Sequence, residues 1–132
     1  MAFLIAADVI VQAERGTLDL DAWLRAHADE EVKIAAITVA ELWRSVERAS
    51  GLLRARRVKF LERVLEVFEV VPYSQKAAVS HARLWSAMDA AGQKISMQDQ
   101  ILAATALESG ATVFTLHTRR YAAIPGLAVV GP

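Results

Sequence analysis

The sequence predicts an α/β fold built on a mostly parallel sheet. Two alternating patterns carry that reading. Short apolar runs, mostly β-branched or aromatic, recur along the chain, and between them apolar residues return every three to four positions. Runs of the first kind suit strands buried on both faces, and the second pattern marks amphipathic helices. Their alternation argues for parallel strands joined by crossover helices.

Taken in order, Phe3-Leu4-Ile5 is the first strand, and it ends in Ala6-Ala7-Asp8. Ile34 to Ile37 is the second, followed by Glu41. Gly51 is placed where a helix stops. Leu61, Val64, Leu65 and Phe68 form one helical stripe, and Phe68 to Val71 a third strand. Pro72 and Ser74 form a boundary, with Ser74 placed to cap the next helix. His81, Leu84, Trp85 and Met88 repeat the helical spacing, and Gly92 ends it. Asp99 opens the helical stretch to Leu107, which Gly110 closes. Thr112 to Phe114 is the fourth strand and Ala128 to Val130 the fifth. No repeat, low-complexity tract or linker divides the chain, so residues 1–132 are expected to form one domain.

Composition narrows the function classes. The chain has 132 residues, 55% of them hydrophobic, enough to bury a substantial core. Lys plus Arg and Asp plus Glu are 15 each, so a nucleic-acid site would have to be a local patch. Without cysteine, disulfides and zinc-thiolate sites are excluded. No apolar run approaches the roughly 20 residues that cross a bilayer. The N-terminus does not read as a signal peptide. The expectation is a soluble cytoplasmic protein with no membrane partner. A Gly-rich phosphate loop is also lacking, which argues against nucleotide chemistry.

In open α/β sheets, ligands gather beyond the carboxyl ends of the strands. Asp8 follows the first strand, Glu41 the second and His117 the fourth, while Asp99 opens the helix leading into the fourth. A parallel sheet would bring these groups to one edge. Converging carboxylates raise one another's pKa unless a cation neutralises them. Hard oxygen donors of this kind suit Mg²⁺ or Mn²⁺, which activate water and stabilise a phosphodiester transition state.

Three segments then carry a resemblance: Ile37-Thr38-Val39-Ala40-Glu41-Leu42, the stretch Asp99 to Glu108, and Thr115 to Tyr121 followed by Ile124-Pro125-Gly126-Leu127. In order and spacing they resemble the PIN domain, most closely the VapC-type toxins of bacterial toxin–antitoxin pairs. The resemblance spans nearly the whole chain. It implies a three-layer fold with a central sheet of four to five strands. It also implies a metal-dependent endoribonuclease that hydrolyses RNA, tRNA or ribosomal RNA among its targets. A homodimer and a VapB-type antitoxin that blocks the active-site groove are implied as partners. Asp8, Glu41 and Asp99 would hold Mg²⁺ or Mn²⁺, and Thr115 and His117 would position water or phosphate.

The sequence departs from that pattern in two places. The family's first strand ends in Asp-Thr followed by Asp, Asn or Ser, where this chain has Ala6, Ala7 and Asp8. The missing metal ligand therefore maps to Ala6, which cannot coordinate. Asn or Asp is usual where His117 stands, and an acid is common where Arg120 stands. Ala6 reads either as natural degeneration or as an engineered inactivation. Both accounts expect weak or absent cleavage.

Simpler readings compete at each position. Thr38-x-x-Glu41 and Ser96-x-x-Asp99 also fit capping boxes, and Asp8 fits a helix cap or turn. His81 reads as a core or rim residue, and His27 as solvated. Arg44, Arg48 and the basic run Arg54 to Arg63 suit a solvated helix face paired with Glu47, Glu62 and Glu66. They equally suit a phosphate-contacting rim. Trp43 suits base stacking, an antitoxin contact or the core, whereas Trp23 suits the core. The alternative function is a non-catalytic protein of the same fold that binds RNA or an antitoxin.

Overall fold

A computed structural model describes residues 1–132. Five strands form one sheet in the order β3-β2-β1-β4-β5. They are β1 (Ala2–Ile5), β2 (Glu31–Ala35), β3 (Val70–Val71), β4 (Thr112–Phe114) and β5 (Val129–Val130). Every neighbouring pair is parallel. The chain leaves β1 toward β2 on one side and returns to β4 on the other, so the sheet's switch point lies at the end of β1, where ligands gather in such folds.

The helices are α1 (Ala7–Glu14), α2 (Leu20–Ala26), α3 (Ala36–Glu47), α4 (Gly51–Val67), α5 (Gln75–Ala91) and α6 (Met97–Ser109). Alternation along β1 divides the interior into two halves. Leu4 faces a cluster with Leu84 and Met88 of α5 and Leu102, Ala103 and Ala106 of α6. Ile5 faces another, with Val9 and Ile10 of α1, Leu42 and Val46 of α3 and Leu61 and Val64 of α4. The result is the expected three-layer arrangement. The alanines of α6 are fully buried, and their small side chains let that helix lie close on the sheet.

The structure corrects several expectations. The second strand begins at Glu31 rather than Ile34, and Ala36 and Ile37 already belong to α3. Lys33 hid the strand's start in the sequence. Its ammonium pairs with Glu69 at 2.9 Å, which lets a charged residue sit in a pairing position. The third strand shrinks to Val70–Val71, because α4 continues to Val67 and Phe68 extends its buried stripe as the C-cap. Gly51 opens α4 instead of closing a helix. Gly92 and Gly110 do close α5 and α6, each in the left-handed region that glycine tolerates.

His27 is packed rather than solvated. Its ring stacks on Trp23 with centroids 4.0 Å apart, and its Nδ1 stands 2.8 Å from the Trp23 carbonyl oxygen. Trp23 stacks in turn on Phe114 at 4.2 Å. His81 is buried as expected, between the Tyr73 hydroxyl and the Gln100 side chain. No helix is long and apolar enough to cross a membrane.

Phe114 is fully buried and joins β4, α1 and the Trp23 stack. Phe114→Ala is expected to destabilise the protein by about 3–5 kcal/mol in urea unfolding, the usual result of deleting a buried aromatic ring. A loss below about 1 kcal/mol would contradict this packing.

Candidate active site

Three carboxyl groups converge at the carboxyl edge of the sheet, each delivered by a different element. Asp8 stands in the first turn of α1, directly after β1. Its Oδ2 accepts hydrogen bonds from the Leu116 N–H at 2.8 Å and from the Thr115 hydroxyl at 3.0 Å. The Thr115 hydroxyl also lies 3.2 Å from Oδ1. Thr115 Oγ1 in turn accepts from the His117 N–H at 3.0 Å, and His117 Nε2 lies 3.8 Å from Asp8 Oδ2. Asp8, Thr115 and His117 are thus one connected group. Asp8 is not a helix cap, since Ala6 holds that position and makes no side-chain cap bond.

Asp99 lies in the first turn of α6. Ser96 caps that helix by accepting from the Asp99 N–H at 3.1 Å, so half of the expected capping box is present. The Asp99 carboxylate turns elsewhere: its Oδ1 accepts from the Tyr121 hydroxyl at 3.0 Å. Tyr121 is buried in a 3-10 turn at Thr118–Tyr121. Burial raises its phenol far above the usual range, and the Asp99 charge and hydrogen bond add to the effect. The phenol therefore stays protonated and donating at any physiological pH.

Glu41 projects from the second turn of α3. The Thr38–Glu41 capping box does not form. Ala35 is the N-cap, Thr38 lies inside the helix, and its buried hydroxyl has no partner. The Glu41 carboxyl is held above its ordinary value, first by desolvation and then by the charges of Asp99 and Asp8; Arg120 pulls it the other way. That mutual influence is the electrostatic signature of convergence.

Glu41 and Asp99 also line an open pocket of about 410 Å³. Arg44 and Arg48 come from α3, Arg57 from α4 and Arg120 from the turn after β4, and no hydrophobic residue contributes. Arg44 and Arg48 thus face the site, as one of the two sequence readings held. Trp43 is 41% exposed, which removes its core reading. Of the expected pairings on the basic helix, the Arg54–Glu47 bridge forms, at 3.2 Å.

The donor set fits a divalent ion poorly. No three His, Cys, Asp or Glu side chains stand close enough to share one ion. Asp8 is engaged by Thr115 and Leu116, one Asp99 oxygen is engaged by Tyr121, and Arg120 is near enough to act on Glu41. Ala6 is 4% exposed and packs in the cluster that contains Tyr121. A methyl group therefore lies buried at the sheet edge where a further oxygen would be needed. The residues present do not complete a metal site.

Neither Tyr121 nor Gln98 was singled out from the sequence, while Arg57 was read only within the basic run and Ser96 only as a cap. Tyr121 sits inside the third motif, so that signal was available. The others reach the pocket through tertiary packing.

A raised carboxyl pKa means that the folded state holds its proton to higher pH than the unfolded chain. Glu41 therefore costs stability as pH rises above its ordinary value of 4.5. Glu41→Gln is expected to raise the melting temperature at neutral pH relative to the parent, with the gain disappearing in acid. Parallel melting curves with pH would contradict the convergence of charges at Glu41.

The PIN domain family model matches residues 5–126. Ribonuclease VapC1 of Rickettsia felis is 27% identical over 133 residues, covering 98% of this chain and 96% of that protein. Ribonuclease VapC of Rickettsia bellii is 25% identical over 131 residues, with the same coverage. Among solved structures, FitAcB from Neisseria gonorrhoeae is 28% identical with a TM-score of 0.80, covering 98% of this chain and 96% of that one. VapBC2 from Rickettsia felis, bound to a DNA fragment from its promoter, superposes with a TM-score of 0.92 over 100% of this chain and 99% of that one. At 20% identity it attests the fold alone. The matched family, the five-stranded parallel sheet and the acids at its carboxyl edge agree: this chain belongs to the PIN domain family.

Proposed function

We propose that this chain is a VapC-type ribonuclease toxin of a type II toxin–antitoxin module, impaired in hydrolysis by Ala6. The observation that carries the reading is the convergence of Asp8, Glu41 and Asp99 at the carboxyl edge, expressed in the raised pKa of Glu41. The similarity to two proteins named as VapC ribonucleases supports the reaction class. A divalent ion, Mg²⁺ or Mn²⁺, would supply an activated water and offset phosphate charge in an intact family site. Here the set of oxygen donors is incomplete, and the chain's own groups supply only part of that chemistry. Thr115 and the Leu116 N–H orient Asp8, Tyr121 orients Asp99, and the arginines attract phosphate.

The partners follow from the same reading. A VapB-type antitoxin is the expected protein ligand, and the similar solved structures include VapBC complexes. Exposed Trp43 on α3 and Leu52 and Leu53 on α4 offer it apolar contacts. A homodimer is the expected assembly, and exposed Val79 and Trp85 on α5 offer apolar surface for it.

Cleavage of total RNA tests the reading. The parent chain is expected to show little or no cutting in Mn²⁺ or Mg²⁺. Ala6→Asp, alone or with Arg120→Asp, is expected to cut, and a chelator to stop it. Removal of one group from a positioned catalytic set commonly costs about 10²–10³-fold, so the gain should be of that order. If neither variant cuts while both fold, the ribonuclease reading fails and the alternative, a non-catalytic binding protein of the same fold, takes its place.

A further inference from the structure

We infer that the pocket beside Glu41 is an anion clamp that holds a phosphodiester of single-stranded RNA without any divalent ion. Its wall carries four guanidinium groups, Arg44, Arg48, Arg57 and Arg120, against two carboxylates, Glu41 and Asp99. The lining thus carries an excess of two positive charges, and counting Asp8 at the same edge still leaves one. Guanidinium does not lose its proton in proteins, so this sign does not depend on pH. A site designed around a bare divalent ion would carry the opposite sign.

The four arginines are also free to act. The ion pairs of the molecule involve Lys33, Arg54 and His117, and none of the four pocket arginines has a carboxylate oxygen within 4.0 Å. Glu41 and Asp99 share their wall, yet the pocket does not neutralise itself. Arg57 is held in place by donating to the Ser45 carbonyl oxygen at 2.8 Å. Arg44 and Arg48 are four residues apart on α3 and share a face. Arg120 approaches from a different element, the turn after β4. Guanidinium groups from three elements around one polar cavity are suited to the planar, two-oxygen recognition of a phosphate.

Size and surroundings favour a polymer over a free ion. A volume of about 410 Å³ falls within the range of small-ligand sites and exceeds what a single phosphate fills. Trp43 does not line the pocket but is exposed on the helix that carries Arg44 and Arg48, where it offers a base a surface for stacking. The choice of RNA rests on the function proposed above; the anion clamp itself does not.

The test is fluorescence anisotropy of a labelled single-stranded oligoribonucleotide with the full chain in excess EDTA. Binding is expected in EDTA, unchanged by added Mg²⁺. Arg48→Glu and Arg120→Glu should each weaken it about tenfold or more, while Arg120→Lys should retain part of it. Each charge-neutral variant, Arg48→Gln or Arg120→Gln, should also lower the slope of log affinity against log salt by about 0.7, the value for one phosphate contact on a single strand. A merely structural arginine would not move that slope. Circular dichroism melts confirm that each variant folds.

Binding only with Mg²⁺, or variants that bind like the parent, would overturn the inference. So would displacement of the RNA by stoichiometric inorganic phosphate, or preference for an acidic peptide over RNA. Failure of Ala6→Asp to cut, with EDTA binding intact, removes the nuclease reading and leaves the clamp. Cutting by Ala6→Asp, with no binding in EDTA, does the reverse.

Discussion

Like charge gathered at one edge of a parallel sheet is the constraint on which this site depends. Strand β1 brings Asp8 there, α3 brings Glu41 and α6 brings Asp99. The topology leaves these groups no other direction to face. Each carboxyl is accommodated differently. Asp8 accepts from a backbone N–H and a hydroxyl at the end of β4. Asp99 accepts from a phenol that burial keeps protonated. Glu41 has no such donor, and its carboxyl is raised first by desolvation and then by the charges of Asp99 and Asp8. Hydrogen bonds to a charged group are among the stronger ones a protein makes, so the first two arrangements also tie distant segments together.

Ala6 acquires its meaning from this arrangement. It sits at the end of the central strand, its N–H donating to the Phe114 carbonyl oxygen at 2.9 Å, so its backbone belongs to the sheet. Its side chain points into the apolar cluster shared by Leu4, Ala103 and Tyr121. A methyl group there is well packed and inexpensive. A carboxylate there would be buried in apolar surroundings, which is costly unless its charge is compensated. On the function proposed above, Ala6 avoids that cost and supplies no oxygen donor. Stability and chemistry are opposed at this residue, a common situation in active sites.

The fold was largely legible because its signals are local. Buried strands such as Thr112–Phe114 are continuous apolar runs, and Ser74, Ser96, Gly92 and Gly110 mark helix ends by their own chemistry. The reading failed where a distant partner rewrote a local preference. Lys33 concealed the start of β2 because its partner, Glu69, arrives from beyond α4. Phe68 was read both as the end of a helical stripe and as the start of a strand, and it closes the helix as its C-cap. In the site, Asp8, Glu41, Asp99 and His117 were found from motif positions. Tyr121 was quoted in its motif without a role, although its hydroxyl donates to Asp99. The bond between Thr115 and Asp8 spans 107 residues, and no local pattern encodes a contact of that kind.

The two departures from the family pattern act in one direction. Alanine in place of an acid removes one negative charge, and arginine where an acid is common exchanges a negative charge for a positive one. They lie near opposite ends of the chain, yet β1 and the turn after β4 are neighbours in space, because β1 pairs with β4. Their effects therefore add within a single edge. On the readings proposed above, they favour guanidinium groups around an oxyanion over carboxylates around a metal. Glu41 and Asp99 share the wall with the arginines without forming an ion pair with any of them. The same edge of the sheet thus suits two opposite ligands, a cation or an anion, and the balance between them is set by a few charged positions rather than by the fold.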